Sequence, residues 1–135
     1  VPTGDAEMSM YVQRNYGQKS HHLQRLVMRT DGFASVNAPY GGGEMVTKPI
    51  TFDGKQLAIN FATSAAGSVW IELQNEDGTP IPGFSRADCD EIVGDEIARV
   101  VTWKGNGDVS VHSGTPVRVC SALKDADLYS LRFNK

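Results

Sequence analysis

The sequence predicts an all-β fold, in the form of an antiparallel β-sandwich of the jelly-roll type with about ten short strands. Two segments alternate apolar and polar side chains, with the apolar positions at Leu57, Ile59 and Phe61 and at Val69, Ile71 and Leu73. Asp-Gly pairs interrupt the pattern. A period of two that is broken by such turns indicates antiparallel strands with one buried face. Short strands at this regular spacing are typical of a two-sheet sandwich.

Most of the predicted strands are short runs that are bounded by Gly, Pro, Asn, Asp or Ser. Asp31-Gly32 predicts a hairpin, because both central residues of such a turn need positive φ. Ala65-Ala66-Gly67 predicts the turn of a second, central hairpin. Arg86–Gly94 predicts one helical turn with Ser85 as N-cap. In chain order, strands are predicted at Met8–Gln13, Leu23–Thr30, Phe33–Ala38, Glu44–Lys48, Ile50–Phe52, Lys55–Thr63, Ser68–Gln74, Thr79–Phe84, Ala98–Trp103, Pro116–Leu123 and Leu128–Phe133.

The alternation also predicts which side chains are buried. The apolar positions of the best strands should face a common core, because successive residues of a strand point to opposite faces. The predicted core set is Leu57, Ile59, Phe61, Val69, Ile71, Leu73, Val117, Val119 and Leu128.

Length and composition predict one domain that spans residues 1–135, with 40% hydrophobic and 21% charged residues. The net charge of −3 and the scattered basic residues argue against a nucleic-acid partner. No apolar stretch reaches the roughly 20 residues that span a bilayer, so no membrane partner is expected. The first residue is Val1, not Met, and the start shows no basic and apolar run, so no signal peptide is expected in it. We therefore expect a piece excised from a larger protein, which leaves its localisation open.

The two cysteines allow one disulfide at most, and their spacing does not decide whether Cys89 and Cys120 pair. Cys120 lies in an apolar run, where a free buried thiol behaves as a small hydrophobic side chain. The chain has no CxxC motif and no Cys/His cluster, so the sequence predicts no metal site of that type.

Three phrases resemble a domain found at the C-terminal end of bacterial glycoside-hydrolase-like proteins, including relatives of family 32. They are HLQRLVMRTDGFASVNAPYGGGEMVTKPITF, LAINFATSAAGSVWIELQNEDGTPIPGFSRADCDEIVGDEI and PVRVCSALKDADLYSLRF, and together they span roughly residues 8 to 134. The resemblance implies a jelly-roll accessory module that packs beside a catalytic domain of the same polypeptide. It supplies no catalytic residues, and the host enzyme would bring a secreted or periplasmic location.

Four aromatic residues are candidate carbohydrate contacts. Trp70 points away from Val69 and Ile71, which places a large ring on the more polar face of its strand. Trp103 ends a strand and is expected at the edge of the core, with a sugar site as the alternative. Tyr16 and Tyr40 lie in glycine-containing loops, where binding residues concentrate. For each ring, packing within the domain or against a partner is the competing interpretation.

The acidic stretch from Asp88 to Glu96 has three interpretations. A solvated acidic turn is favoured, so no metal or cofactor is predicted. A structural Ca²⁺ held by Asp88, Asp90 and Asp95 is the alternative, although the stretch departs from the EF-hand pattern. A pair of hydrolase carboxyl groups is the third interpretation.

The leading hypothesis is a non-catalytic accessory domain that braces a glycosidase-like catalytic domain and contacts polysaccharide. A free-standing carbohydrate-binding module is the alternative, and a small sandwich enzyme that acts on polysaccharide is the third. By itself the chain is not expected to be an enzyme.

Overall fold

The structure, a computed structural model, describes all of residues 1–135 and is all-β with antiparallel pairing throughout. The only helical element is a 3-10 turn at Ser110–His112, and no helix is long and apolar enough to cross a membrane. The predicted all-β antiparallel class is confirmed. The strands are β1 (Glu7–Arg14), β2 (His22–Arg29), β3 (Val36–Ala38), β4 (Gly43–Val46), β5 (Gln56–Gln74), β6 (Asp95–Val100) and β7 (Arg118–Asn134).

Seven strands are found where about ten were predicted, because two of them are long: β5 has 19 residues and β7 has 17. The chain divides into two compact units, which we call the ribbon unit (Val1–Ala34) and the sheet unit (Ser35–Lys135). The prediction of one domain over residues 1–135 stays a prediction.

The ribbon unit is a two-stranded antiparallel sheet in which β1 pairs with β2 from Glu7–Arg29 to Arg14–His22. Apolar side chains alternate with others along β1, and they define an apolar face with their partners on β2. The opposite face carries the polar contacts, in which the guanidinium of Arg25 donates to Ser9 Oγ at 2.7 Å and to Glu7 Oε1 at 3.0 Å. The apolar face consists of Met8, Met10, Val12, Leu26 and Met28.

The sheet unit is a five-stranded sheet that curls into a half-barrel. Strand β7 is its centre and pairs along its length with β5 on one side. On its other side it pairs first with β4 and then with β3. The edge of β5 that faces away from β7 pairs with β6 in the first half of the strand. In its second half, loop residues such as Ile81 and Ile92 form backbone hydrogen bonds with it.

Both predicted hairpins are wrong. The residues before Asp31-Gly32 belong to β2 and pair with β1, whereas the residues after it form β3 and pair with β7. Ala65-Ala66-Gly67 is not a turn either, because it lies inside β5 and both flanking segments pair with β7. In each case a long-range partner decided the pairing that local turn residues were expected to decide.

Gly67 has a different role from the one predicted. A Cβ at this position would lie 2.3 Å from the carbonyl oxygen of Asp125 and 2.7 Å from that of Lys124. The glycine therefore permits close approach of two backbones at a bulge, where Thr63–Ser68 of β5 faces only Lys124–Ala126 of β7.

The predicted core set is confirmed, because all nine residues are at most 4% exposed. Of the predicted helical turn over Arg86–Gly94, only the first residues form a turn, in which the N–H groups of Asp88 and Cys89 donate to the Ser85 carbonyl. The core also contains residues from loops, including Ile81, Ile92, Trp103 and Val109. Loop residues thus complete a core that the strands begin.

Candidate ligand-binding groove

The outer face of the sheet carries a trough between two large side chains. Strand pairing sets Glu44 of β4 and Trp70 of β5 on either side of Ala122 of β7. Directly paired residues project from the same face of a sheet. A small side chain between two large ones therefore forms the floor of a groove, and Trp70 forms one wall. Trp70 is half-buried, on the face opposite to Val69 and Ile71, as the alternation predicted.

One end of the groove lies at a bend in β7. Asp125 has a positive φ of 42° there, and the pairing of β7 is interrupted on both sides. On the side of β5 the interruption is the bulge at Gly67. On the other side it is the turn between β3 and β4, which is formed by residues 39–42.

This turn places Tyr40 over the groove. The N–H of Gly42 donates to the Pro39 carbonyl at 2.8 Å, and Gly42 has a φ of 84°, a conformation that favours glycine. The N–H of Asp125 donates to the same carbonyl at 3.1 Å, which fixes the turn to the bend. As a result, Lys124 Nζ lies 4.4 Å from the centre of the Tyr40 ring. A cation at this distance is attracted to the face of the ring.

Arg86 lies across the groove near Trp70. Its guanidinium carbon is 5.4 Å from the centre of the Trp70 ring, and Nη1 is 2.9 Å from Glu44 Oε1. The backbone N–H of Arg86 donates to Glu72 Oε2 at 2.9 Å, which ties the loop to β5. Arg86 thus connects the two walls of the groove.

The completed groove has a volume of about 410 Å³. It combines two aromatic rings with three charged groups, and all of its lining residues belong to the sheet unit. Apolar surface with a few polar groups that converge on it is the usual composition of a small-molecule site. The main lining side chains are Tyr40, Glu44, Trp70, Arg86, Ala122 and Lys124, beside the backbone of Gly41–Gly43.

The other two predicted sugar contacts lie elsewhere. Trp103 is 2% exposed, and its Nε1–H donates to the Ile71 carbonyl at 2.9 Å, so it is a core residue. Tyr16 is 81% exposed in the loop between β1 and β2, where its ring meets the edge of the His21 ring at 5.7 Å. The structure therefore brings together Trp70 and Tyr40, and not Trp103 or Tyr16.

Asp88 and Asp90, which follow Arg86 in the sequence, form contacts with neighbouring loop residues. Asp88 forms an ion pair with Lys104 and accepts from Ser85 Oγ, and these contacts lower the pKa of its carboxyl group. Asp90 accepts from the hydroxyl of Thr102 and from the backbone N–H of Gly105, which lowers its pKa in the same way.

Asp95, the third candidate calcium ligand, begins β6 and pairs with Ala62. No group of three or more His, Cys, Asp or Glu side chains in the chain is arranged to hold a metal ion. The acidic stretch thus holds loops in place through Asp88 and Asp90.

Both cysteines are free and buried. Burial raises the pKa of the Cys89 thiol, which accepts from the Ile71 N–H at 3.3 Å and donates to the Asp90 carbonyl at 3.3 Å. Burial likewise raises the pKa of Cys120. Both side chains therefore stay protonated at neutral pH and pack as small hydrophobic groups.

The charged residues of the groove have little signal in the sequence. Arg86 was expected to begin a helical turn, and Glu44 to begin a strand. Lys124 lies between the last two predicted strands. These residues meet only because β4 and β7 pair and because the loop after β5 folds back over the sheet.

Comparisons of the chain with models of protein families, with curated proteins and with solved structures find no match.

Proposed function

We propose that the chain is a non-catalytic accessory domain of a glycoside-hydrolase-like protein, and that its groove contacts carbohydrate. The observation that carries the proposal is the convergence of Trp70 and Tyr40 on one groove, although 30 positions separate them in the sequence. A two-sheet jelly roll, as the finer form of the fold, belongs to the same proposal and stays a prediction.

The chemistry of the groove suits a sugar. Aromatic rings offer flat apolar faces to the C–H faces of a pyranose, and charged groups offer hydrogen bonds to its hydroxyls. Glu44, Arg86 and Lys124 surround the rings and supply both donors and acceptors. The volume of about 410 Å³ lies within the range of roughly 300–1,000 Å³ that small-ligand sites occupy.

The geometry favours binding over hydrolysis. Glycosidases place two carboxyl groups roughly 5 to 9.5 Å apart on either side of the scissile bond. In the groove Glu44 is the one lining carboxylate, and Arg86 binds it at 2.9 Å. Asp88 and Asp90 have lowered pKa values, whereas a general acid needs a raised one.

The apolar face of the ribbon unit supports the bracing part of the proposal. Met10 is 43% exposed and Leu26 is 37% exposed, and together with Met28 they line a second groove. An isolated two-stranded ribbon is marginally stable in water. Packing of this face against the catalytic domain of the same polypeptide would bury these side chains.

Carbohydrate contact is tested by affinity electrophoresis in gels that contain a panel of neutral and acidic polysaccharides. We expect at least one polysaccharide to retard the chain, and Trp70→Ala and Tyr40→Ala to abolish most of the retardation. Tyr40 is 64% exposed, so its removal should leave the fold intact. Tyr16→Ala is the matched control, because it removes an exposed ring that does not line the groove.

Two outcomes would contradict the carbohydrate proposal. One is the absence of retardation by every polysaccharide in the panel. The other is an equal loss of retardation in Tyr16→Ala and Tyr40→Ala, which would move the site away from the groove. Thermal melting of each variant identifies any loss that is due to unfolding.

A further inference from the structure

We propose that the groove prefers glycans that carry a carboxylate or a sulfate, and that Lys124 is the residue that selects them. The inference rests on the proposed function, since it names the class of carbohydrate for the same site. It depends on which charged side chains of the groove already form an ion pair within the protein and which side chain does not.

The positive charge of Arg86 is balanced within the protein. Its guanidinium forms an ion pair with Glu44 at 2.9 Å, and Glu72 lies close enough to accept from its backbone N–H at 2.9 Å. Glu44 thus pairs with the guanidinium itself, and Glu72 holds the backbone of the same residue. An anionic ligand would gain little from Arg86 unless Glu44 moved away.

Lys124 has no carboxylate partner. Its contact is the face of the Tyr40 ring, 4.4 Å from Nζ, and it forms no ion pair. A cation on an aromatic face keeps its charge available to a ligand, because the ring carries a quadrupole and no net charge. Lys124 therefore supplies the one positive charge of the groove that a ligand anion can pair with.

The position of Lys124 is fixed by the bend in β7. Lys124 pairs with Ser68 of β5 and is the next residue after Ala122 on the same outer face. Its side chain is half-buried and lies under the turn that carries Tyr40. A sugar that stacks on Tyr40 would thus place its substituents near the ammonium group.

Net charge makes the inference specific to this site. The chain has a net charge of −3, so it should not adsorb polyanions without a local positive site. Any preference for acidic glycans must then come from a local arrangement such as Lys124 with Tyr40.

The test compares glycans that differ only in charge. Dissociation constants are measured for polygalacturonate and for its methyl-esterified form, and in a second arm for a sulfated galactan and its desulfated form. We expect the charged member of at least one pair to bind about three- to tenfold more tightly, and the difference to shrink as salt is added. The two arms distinguish a carboxylate ligand from a sulfate ligand.

Three variants test the assignment to Lys124. Lys124→Gln should reduce the affinity for the charged glycan to that for the neutral one, and Lys124→Arg should preserve the preference. Lys48→Gln removes the same charge from an exposed position outside the groove and should leave both affinities unchanged. Trp70→Ala should weaken the binding of charged and neutral glycans alike.

The outcomes separate the two proposals. Equal affinity for charged and neutral glycans, with binding still lost in Trp70→Ala, would overturn the inference and leave the proposed function intact. A charge preference that survives in Lys124→Gln would overturn the role of Lys124. Absence of binding to every glycan would overturn the proposed function itself.

Discussion

The two faces of β5, in the part of the strand after its bulge, differ in burial and in the contacts that their side chains make. On the inner face Val69, Ile71 and Leu73 are fully buried and belong to the core. On the outer face Trp70, Glu72 and Gln74 alternate with them and are half-buried. Trp70 lines the groove and Glu72 fixes the loop that carries Arg86. One strand thus serves stability with one set of side chains and the candidate site with the other.

The largest expected effect is on the inner face. Ile71→Ala should lower the free energy of unfolding by about 2–5 kcal/mol, because it removes buried methyl groups and leaves a cavity. Trp70→Ala, one position away, should destabilise less, since part of its ring is in contact with solvent, and should instead abolish glycan retardation. Urea unfolding of both variants measures the first difference, and affinity electrophoresis measures the second.

If Ile71→Ala melted like the parent, or if Trp70→Ala destabilised the chain more than Ile71→Ala, the assignment of the two faces would be wrong. Leu73→Ala repeats the inner-face test with a second fully buried residue.

A smaller effect is expected at the bulge, where the two faces change register. Gly67→Ala should destabilise the chain by about 1–3 kcal/mol, the usual range for an inserted methyl group with no room. The new Cβ would meet the carbonyl oxygens of Asp125 and Lys124, which must then move apart. Because Lys124 lies at this bend, we expect glycan affinity to fall together with stability.

Urea unfolding and affinity electrophoresis check this pair of effects. The control is Gly4→Ala, a glycine outside the groove whose Cβ would meet only the flexible side chain of Glu7. Equal stability of Gly67→Ala and the parent would show that the backbones do not need this close approach.

The smallest expected effect is a dependence of the stability on pH, which distinguishes charged surface contacts from the apolar core. Hydrogen bonds lower the pKa of Asp77, Asp88, Asp90 and Asp108 in the folded chain. Their stabilisation is present above the unfolded pKa of about 3.9 and is lost as the pH falls through the lower folded values. Stability should therefore stay level from neutral pH to about pH 5 and decline below about pH 4.

Asp90→Asn should lower stability at pH 7 and reduce the acid-dependent decline, because it removes one of the groups that titrate. Ile71→Ala should lower stability equally at both ends of the range. Urea midpoints at pH 7 and pH 3 provide the comparison. An unchanged decline in Asp90→Asn would mean that the contacts with Thr102 and Gly105 contribute nothing to acid sensitivity.

Much of the fold could be predicted because the alternation of side chains is a local property. Leu57, Phe61 and Ile71 were assigned to the core from their spacing alone, and Trp70 was assigned to the opposite face for the same reason. The hairpins at Asp31-Gly32 and Ala65–Gly67 could not be predicted correctly. Turn residues show only where a chain is able to reverse. Here β2 pairs with β1, and β3 and β5 pair with β7, which begins more than 50 residues after either turn.

The groove could be predicted only in part from the sequence. Trp70 and Tyr40 were both candidates, yet the sequence did not show that they line the same groove. It also did not show that Trp103 is buried and donates a hydrogen bond to the Ile71 carbonyl. Arg86 and Lys124 carried no sequence signal, because an isolated basic residue in a loop has no pattern.

The sequence by itself determined that the chain is all-β and which side of each strand is apolar, because an alternation with a period of two depends only on neighbouring residues. The tertiary structure alone decided that β7 lies at the centre of the sheet, that Gly67 sits in a bulge, and that Lys124 stands beside Tyr40. These features arise from contacts between segments that are far apart along the chain.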